Sequence, residues 1–204
     1  MKNIEELKEH YRRRKAEIKK RLKEFERLKK EKKEFLFVEL CFCLCTPLSK
    51  AERVIKIINY ENKNLLLKGS KEKIAKALKG YARFHNNKAK YITETRKKIC
   101  LLEKLPLNSL EAREFLLNNF KGLGLKEASH FLRNIGYKNV AILDGHIINC
   151  LCELGAIKSS NRPISRKQYE EMAEKFKNFS KKIGIPLDEL DLLFWSSKTG
   201  LVLK

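Results

Sequence analysis

The sequence predicts an all-α protein, and three observations support this fold class. No segment alternates polar and apolar residues as a half-buried strand does. Several segments repeat apolar residues at steps of three and four, which is the period of an amphipathic helix. Capping residues and helix-ending glycines or prolines recur along the whole chain. With 204 residues, the chain is long enough to bury a hydrophobic core, and we expect about ten helices.

The first two predicted helices differ in character. Residues 1–34 are predicted to form one long amphipathic helix that packs on the rest of the domain, with a coiled coil as the alternative. A buried helix is predicted over residues 35–46, because the run FLFVELCFCLC is almost entirely apolar. Thr46 and Pro47 should end it, since a proline disfavours helix at the residue before it.

Capping signals place most of the later helices. Each predicted start has a serine, asparagine or aspartate whose side chain can accept a hydrogen bond from the first turn. These residues are Ser49 for a helix to about Tyr60, Ser70 for one closed by Gly80, Asn108, Asp144 for one to about Leu154, and Ser165 for residues 166–182. Further helices are predicted over about 86–103 and 125–135, and the last opens at Pro186.

The charge balance points to a polyanionic partner. Lysine and arginine number 46 against 25 aspartate and glutamate, so the formal net charge is +21. Such a charge opposes compaction by self-repulsion, and nucleic acid is the natural partner for it. The alternative is a solvated, lysine-rich surface of the kind found in heat-adapted proteins. No leader and no apolar run of about 20 residues is visible, so we expect a cytoplasmic protein without membrane contact.

The six cysteines do not form a metal-binding pattern. No pair has the C-x-x-C spacing of zinc or iron–sulfur sites, and we expect free thiols in a reducing cytosol. Three of them lie in the predicted buried helix, where they should act as small hydrophobic residues. The sequence therefore predicts neither a metal nor a cofactor.

The segment KGLGLKEASHFLRNIGYKNVAILDGHI, residues 121–147, is the most informative part of the chain. Gly122 and Gly124 predict a tight turn between two helices, where exposed backbone N–H groups and a helix N-terminus can hold DNA phosphates. An ordinary helix–helix turn is the alternative. Lys126 follows in the first helical turn, where a cation is disfavoured and a neutral, nucleophilic amine is favoured. Asp144, 18 residues later, is predicted to cap the next helix and to hold a carboxylate rigidly.

This segment resembles the helix-hairpin-helix signature of the base-excision DNA glycosylases. LKEASHFLRNIG followed by AILDGHI is similar to the second, mainly archaeal type of 8-oxoguanine DNA glycosylase. FVELCFCLCT, ARFHNNKAKYI, AREFLLNN, SRKQYEE and the terminal ELDLLFW with KTGLVLK extend the resemblance over the chain from about residue 36. The resemblance implies two helical subdomains around a helix-hairpin-helix core with a cleft between them. We place them at residues 46–143 and at residues 1–45 with 144–204.

The resemblance also implies a bifunctional enzyme that acts on double-stranded DNA containing a damaged base, as a monomer. The target nucleotide would be flipped out of the duplex. Lys126 would attack the sugar and expel 8-oxoguanine, and the Schiff base would then undergo β-elimination at the AP site. Asp144 would help to deprotonate Lys126 and stabilise the cationic sugar.

Base recognition is expected from three residues that match the family. They are Lys204, Trp195 and Phe84, although as residues alone all three are better explained structurally, Lys204 by a frayed terminus and the two aromatic residues by core packing. His146 is expected to face the DNA backbone together with Gly122 and Gly124.

The chain departs from the family in two places. Cys45–Ile55 reads CTPLSKAERVI where the family often has T-A-N and a glycine pair. Gly145 stands where the family usually has a bulky, often basic residue, and we expect a phosphate contact to be lost there. Two alternative functions therefore stay open: a glycosylase for another damaged base, and a non-catalytic helix-hairpin-helix DNA-binding protein.

Overall fold

The computed structural model describes residues 3–203, and its regular structure is entirely helical. Eleven α-helices and one 3-10 helix, Ile99–Lys104, follow one another along the described chain. The α-helices are α1 Ile4–Leu28, α2 Lys33–Cys45, α3 Ala51–Ile57, α4 Lys63–Lys68, α5 Lys71–Leu78, α6 His85–Arg96, α7 Ser109–Asn119, α8 Leu125–Asn134, α9 Gly145–Glu153, α10 Arg166–Ile183 and α11 Leu187–Thr199.

Two hydrophobic cores organise these helices. The first draws its buried residues from positions 36–140, with α2 at its centre, because every residue of α2 from Leu36 to Cys45 is buried. The second joins α1 to residues 141–202. The predicted subdomain boundary near residue 46 stays a prediction, and this packing groups α2 with the hairpin-containing half.

Buried polar contacts connect the two halves through α8. Arg133 of α8 and Asp191 of α11 are each 2% exposed, and Nη2 lies 3.2 Å from Oδ2. On the opposite side, Asn134 donates from Nδ2 to Oε1 of Glu39 in α2 at 2.6 Å. A buried ion pair that loses one partner is strongly destabilising, so the Arg133–Asp191 pair constrains how α8 sits on α11. Helix α8 carries Lys126, and this constraint therefore reaches the predicted site.

Most of the predicted caps are confirmed, with one exception. The side chains of Ser70, Asn108, Asp144 and Ser165 each accept a hydrogen bond from the first turn of the following helix. Ser49 was predicted wrongly. Helix α3 begins one residue later, after Lys50, and the hydroxyl of Ser49 is bonded elsewhere.

The predicted bounds were also wrong in two segments. Residues 1–34 are not one helix, because the chain turns at residues 29–32 between α1 and α2. This turn follows the last apolar position of α1, Leu28, and lets α2 enter the first core. The helix predicted over 86–103 ends at Arg96 and continues as the 3-10 helix. The short α4 had no capping signal and was not predicted.

The cysteines of α2 are buried thiols, as predicted. Cys41, Cys43 and Cys45 pack in the first core, and burial raises the pKa of Cys45 to about 12. Within residues 3–203, no group of three metal-binding side chains comes together. None of the helices described there is long and apolar enough to cross a bilayer.

Candidate active site

The glycine hairpin joins α7 to α8 and has a conformation that requires glycine at its first position. Gly122 has φ of +88°, and a Cβ there would lie 2.6 Å from Cδ2 of the Tyr91 ring. Gly124 has an extended backbone and immediately precedes α8. The predicted turn is therefore confirmed, and its tightness follows from the close approach of Tyr91 to the backbone.

Lys126 lies in the first turn of α8 and is held by its neighbour. Its Nζ lies 2.9 Å from Oε1 of Glu127, and the two side chains are 25% and 14% exposed. The second oxygen of Glu127, Oε2, accepts the backbone N–H of Gly124 at 3.3 Å. One carboxylate thus joins the hairpin backbone to the predicted nucleophile.

Asp144 has the predicted position at the N-terminus of α9. Its Oδ1 accepts the N–H groups of His146 and Ile147 at 2.8 and 2.9 Å. These two bonds fix the carboxylate, and the helix dipole favours its negative charge. Asp144 is therefore a rigid group, and one of its oxygens is not used in the cap.

Lys126 and Asp144 line one cleft of about 1240 Å³. The cleft lies where the two cores meet, with walls from the 46–52 segment, α8, α9, α11 and the 160–166 loop. Behind Asp144, burial raises the pKa of Asp191 to about 7, an effect that Arg133 opposes and the charge of Asp144 reinforces. The arrangement places an amine and a carboxylate in a space large enough for a nucleotide.

Trp195 forms part of the cleft wall, next to His146. The two rings are 5.4 Å apart and tilted by 58°, and Trp195 is half-buried. His146 donates from Nε2 to the carbonyl of Phe194 at 2.7 Å. His146 thus supports the tryptophan. Its predicted contact with the DNA backbone stays a prediction, and Nδ1 is the ring nitrogen left for such a contact.

Phe84 lies outside the cleft lining and is exposed. Its side chain is 60% exposed, and its backbone is left-handed with φ of 55° at the start of α6. Leu48 has the same character, with φ of 54° and 63% exposure, and it does line the cleft. A left-handed backbone is costly for residues other than glycine, and strain of this kind is concentrated at functional sites.

A buried lysine supports both strained residues. Lys88 donates from Nζ to the carbonyls of Cys45 and Pro47 at 2.7 and 2.8 Å, and to Oγ of Ser49 at 2.8 Å. Ser49 in turn accepts the N–H of Arg83 at 2.9 Å. This network replaces the cap predicted for Ser49 and fixes the segments that carry Leu48 and Phe84.

The remaining predicted residue, Lys204, lies outside the described residues. Leu203, the last described residue, lines the cleft. The roles assigned to all the predicted site residues stay predictions.

Sequence reasoning missed the supporting residues of the site. Glu127 had a signal, since it stands three residues after Gly124, the spacing at which a glutamate reaches back to a cap N–H. The network of Lys88 and Ser49 joins residues 39 positions apart and has no such local signal.

The comparisons with known proteins agree with this geometry. A family described as 8-oxoguanine DNA glycosylase matches residues 18–185. The chain belongs to the 8-oxoguanine DNA glycosylase family. The match covers the hairpin, Lys126 and Asp144, and all-α architecture of this kind is shared by the solved structures of the family.

Relatives within the 8-oxoguanine DNA glycosylase family match nearly the full length. The 8-oxoguanine DNA glycosylase/AP lyase of Methanocaldococcus jannaschii is 40% identical over 211 residues, covering 100% of this chain and 99% of that protein. The enzyme of the same name from Fusobacterium nucleatum subsp. nucleatum is 37% identical and covers 98% of this chain and 96% of its own.

Two solved structures of the 8-oxoguanine DNA glycosylase family share this fold. The M. jannaschii enzyme in complex with a 15mer DNA containing 8-oxoguanine has a TM-score of 0.91 at 36% identity, covering 98% of this chain and 99% of that one. The Thermotoga maritima 8-oxoguanine DNA glycosylase has a TM-score of 0.91 at 33% identity, with 98% coverage of both chains.

Proposed function

We propose that this protein excises 8-oxoguanine from double-stranded DNA and then cleaves the strand at the resulting AP site. The observation that carries this proposal is the shared cleft of Lys126 and Asp144, each fixed at the start of its helix. The net charge of +21 supplies the attraction for a DNA backbone. Family membership and the names of the relatives support the same activity.

The chemistry begins when the flipped nucleotide enters the cleft. Lys126 must first leave Glu127 and lose a proton, so that its lone pair attacks C1′ of the sugar. The bond from C1′ to the base breaks, and the base departs with the bonding electrons. Asp144 accepts the proton from the amine and stabilises the positive charge that develops on the sugar.

Strand cleavage follows from the covalent intermediate. The sugar ring opens to give an imine between Lys126 and C1′. Loss of a proton from C2′ then expels the 3′ phosphate by β-elimination, which breaks the strand. Water finally releases the lysine. The protein supplies the amine, the carboxylate and the shape of the cleft for these steps.

The base and the duplex are held by different surfaces. Trp195 stacks on the flipped base inside the cleft, and Lys204 reads its polar edge. Phe84 was expected to recognise the flipped base, but it lies outside the cleft lining, and we propose instead that it stacks in the duplex at the vacated position. Gly122 and Gly124 present backbone N–H groups to phosphates. The enzyme acts as a monomer on cytoplasmic DNA.

Covalent trapping tests the proposal directly. Borohydride reduces the imine and should link the protein to a duplex containing 8-oxoguanine. The Lys126→Gln variant should give no adduct. The Asp144→Asn variant should slow trapping by 10²-fold or more, the usual scale of general acid–base catalysis. Absence of an adduct with the wild-type protein, or an undiminished adduct with Lys126→Gln, would contradict the proposal.

A panel of lesions separates the alternatives. Faster release of another damaged base than of 8-oxoguanine would assign a different substrate. Salt-sensitive duplex binding without any product would instead identify a non-catalytic DNA-binding protein.

A further inference from the structure

Three arginines line the cleft, and they differ in their partners. Arg133 is paired with Asp191, and Arg166 forms a two-point ion pair with Glu114. Arg162 makes no hydrogen bond or ion pair with any of residues 3–203. It is an exposed guanidinium that the fold does not neutralise, on the wall that contains Asp144.

The position of Arg162 depends on the absence of a side chain at residue 145. A Cβ added to Gly145 would lie 2.6 Å from Nη2 of Arg162 and 3.3 Å from both Cζ and Nε. Such a distance is too short for a real contact, so any other residue at 145 would displace the guanidinium. The guanidinium of Arg162 therefore packs directly against Gly145 at the start of α9, and we call this contact surface of Gly145 the seat of Arg162.

The loop that carries Arg162 is anchored on both sides. The hydroxyl of Ser159 accepts the N–H of Asn161 at 3.2 Å, and Oε1 of Gln168 accepts the N–H of Ile164 at 2.9 Å. These bonds limit the freedom of the backbone around Arg162. The backbone therefore holds the base of the Arg162 side chain beside the cleft, and the planar guanidinium matches the geometry of a phosphate.

We propose that Arg162, seated on Gly145, binds a phosphate of the DNA strand that enters the cleft beside Asp144. This inference rests on the proposed function, because Asp144 there lies next to the sugar of the flipped nucleotide. Arg162 lies against residue 145, next to Asp144, so a phosphate that flanks this sugar would come near its guanidinium. The N-terminus of α9 adds a partial positive charge on the same side. Gly145 and Arg162 thus act as one unit.

Salt-dependent binding tests the contact. The probe is a duplex with a tetrahydrofuran abasic analogue, which cannot form an imine, and the Kd is measured between 50 and 200 mM NaCl. The logarithm of the association constant falls as log [NaCl] rises. Arg162→Ala should make this slope less steep by about 0.9, the value for one phosphate. The loss of affinity over this salt range should then be about 3.5-fold smaller than for wild type. Arg13→Ala is the matched control, since Arg13 is already paired with Glu9 outside the cleft lining.

A double-mutant cycle tests the seat itself. Gly145→Ala should reduce the slope by less than Arg162→Ala does, because the displaced guanidinium is the end of a flexible side chain, and it should have little further effect when added to Arg162→Ala. Equal slopes for Arg162→Ala and wild type, or additive effects of the two substitutions, would overturn the proposal. These binding results do not depend on catalysis. Failure of wild-type trapping would count against the proposed function and would leave the phosphate contact intact.

Discussion

The ammonium group of Lys126 lies 2.9 Å from Oε1 of Glu127, the residue that follows it in α8. The same carboxylate accepts the N–H of Gly124 through Oε2 at 3.3 Å. The proposed nucleophile is thus held in the absence of DNA by the group that also closes the hairpin. The proposed attack on the sugar requires this ion pair to break, so the carboxylate that closes the hairpin also restrains the amine.

Glu127 should therefore have a structural role that can be separated from its charge. Glu127→Ala removes the acceptor for Gly124 and should lower the free energy of unfolding by about 1 kcal/mol, as for other helix caps. In a chain of this size, the Tm should fall by roughly 2–4 °C. Glu127→Gln keeps an acceptor oxygen and should retain most of this stability. Equal losses in the two variants, measured by thermal unfolding, would argue against the cap.

The two hairpin glycines should respond differently to alanine. Gly122→Ala requires a side chain at φ of +88° and 2.6 Å from the Tyr91 ring, so it should cost at least about 1–2 kcal/mol and weaken binding to undamaged duplex. Gly124→Ala has an ordinary φ of −100°, and its Cβ would meet the end of a flexible side chain, Oε2 of Glu127, at 3.0 Å. Gly124→Ala should therefore have little effect on stability or on duplex binding. Urea unfolding and duplex titration measure the two effects, and equal effects would contradict the assigned hairpin geometry.

Local signals account for the parts of the structure that the sequence predicted well. Asp144 and Ser165 cap helices as expected, because the chemistry of a cap lies within three residues. Ser49 is a serine like Ser165, but Lys88 and Arg83 bind its hydroxyl, and the helix begins one residue later than predicted. Contacts between distant segments decided that outcome, and one sequence does not encode them in any local pattern. The seat of Arg162 on Gly145 is of the same kind, since 17 positions separate the two residues.

Asp191 should make stability depend on pH below neutrality. Burial raises its pKa from 3.8 to about 7, so the folded state favours the protonated carboxyl. The resulting stabilisation is fully present below about pH 4 and is lost as the pH rises towards 7. Its upper bound is roughly 4 kcal/mol, at 1.36 kcal/mol for each pKa unit.

The Asp191→Asn variant isolates this effect. The difference in unfolding free energy between wild type and Asp191→Asn, measured with urea at several pH values, should decrease from pH 4.5 to 7.5. A constant difference would contradict the raised pKa. Because the wild-type carboxyl is already protonated at pH 4.5, Asp191→Asn should be close to wild type in stability at that pH.

Lys88 should stabilise the two segments that carry Leu48 and Phe84. Lys88→Met removes three hydrogen bonds and leaves the buried carbonyl of Cys45 without this donor, which should cost about 1–3 kcal/mol. Ser49→Ala removes the bridge to Arg83 and one of the three Lys88 bonds but keeps the Lys88 bonds to the carbonyls of Cys45 and Pro47, so it should cost less. Fluorescence of 2-aminopurine beside the lesion should show a larger loss of flipping for Lys88→Met. The opposite order would show that the bridge through Ser49, rather than the lysine, fixes Phe84.

Phe84 should show a conflict between stability and DNA binding. Its left-handed backbone costs about 1–2 kcal/mol for a residue with a side chain, whereas glycine adopts it freely at an entropic cost of about 0.5–1 kcal/mol. Because the ring is 60% exposed, little burial is lost when it is removed. Phe84→Gly should therefore raise the free energy of unfolding by about 0.5–1 kcal/mol. The same variant should bind lesion-containing duplex more weakly, because the ring no longer stacks in the duplex. Phe84→Leu keeps an apolar side chain and the strain, so it is the matched control and should retain more binding without the gain in stability. A Phe84→Gly variant that is both less stable and equally tight would mean that the ring serves the fold and has no role on DNA.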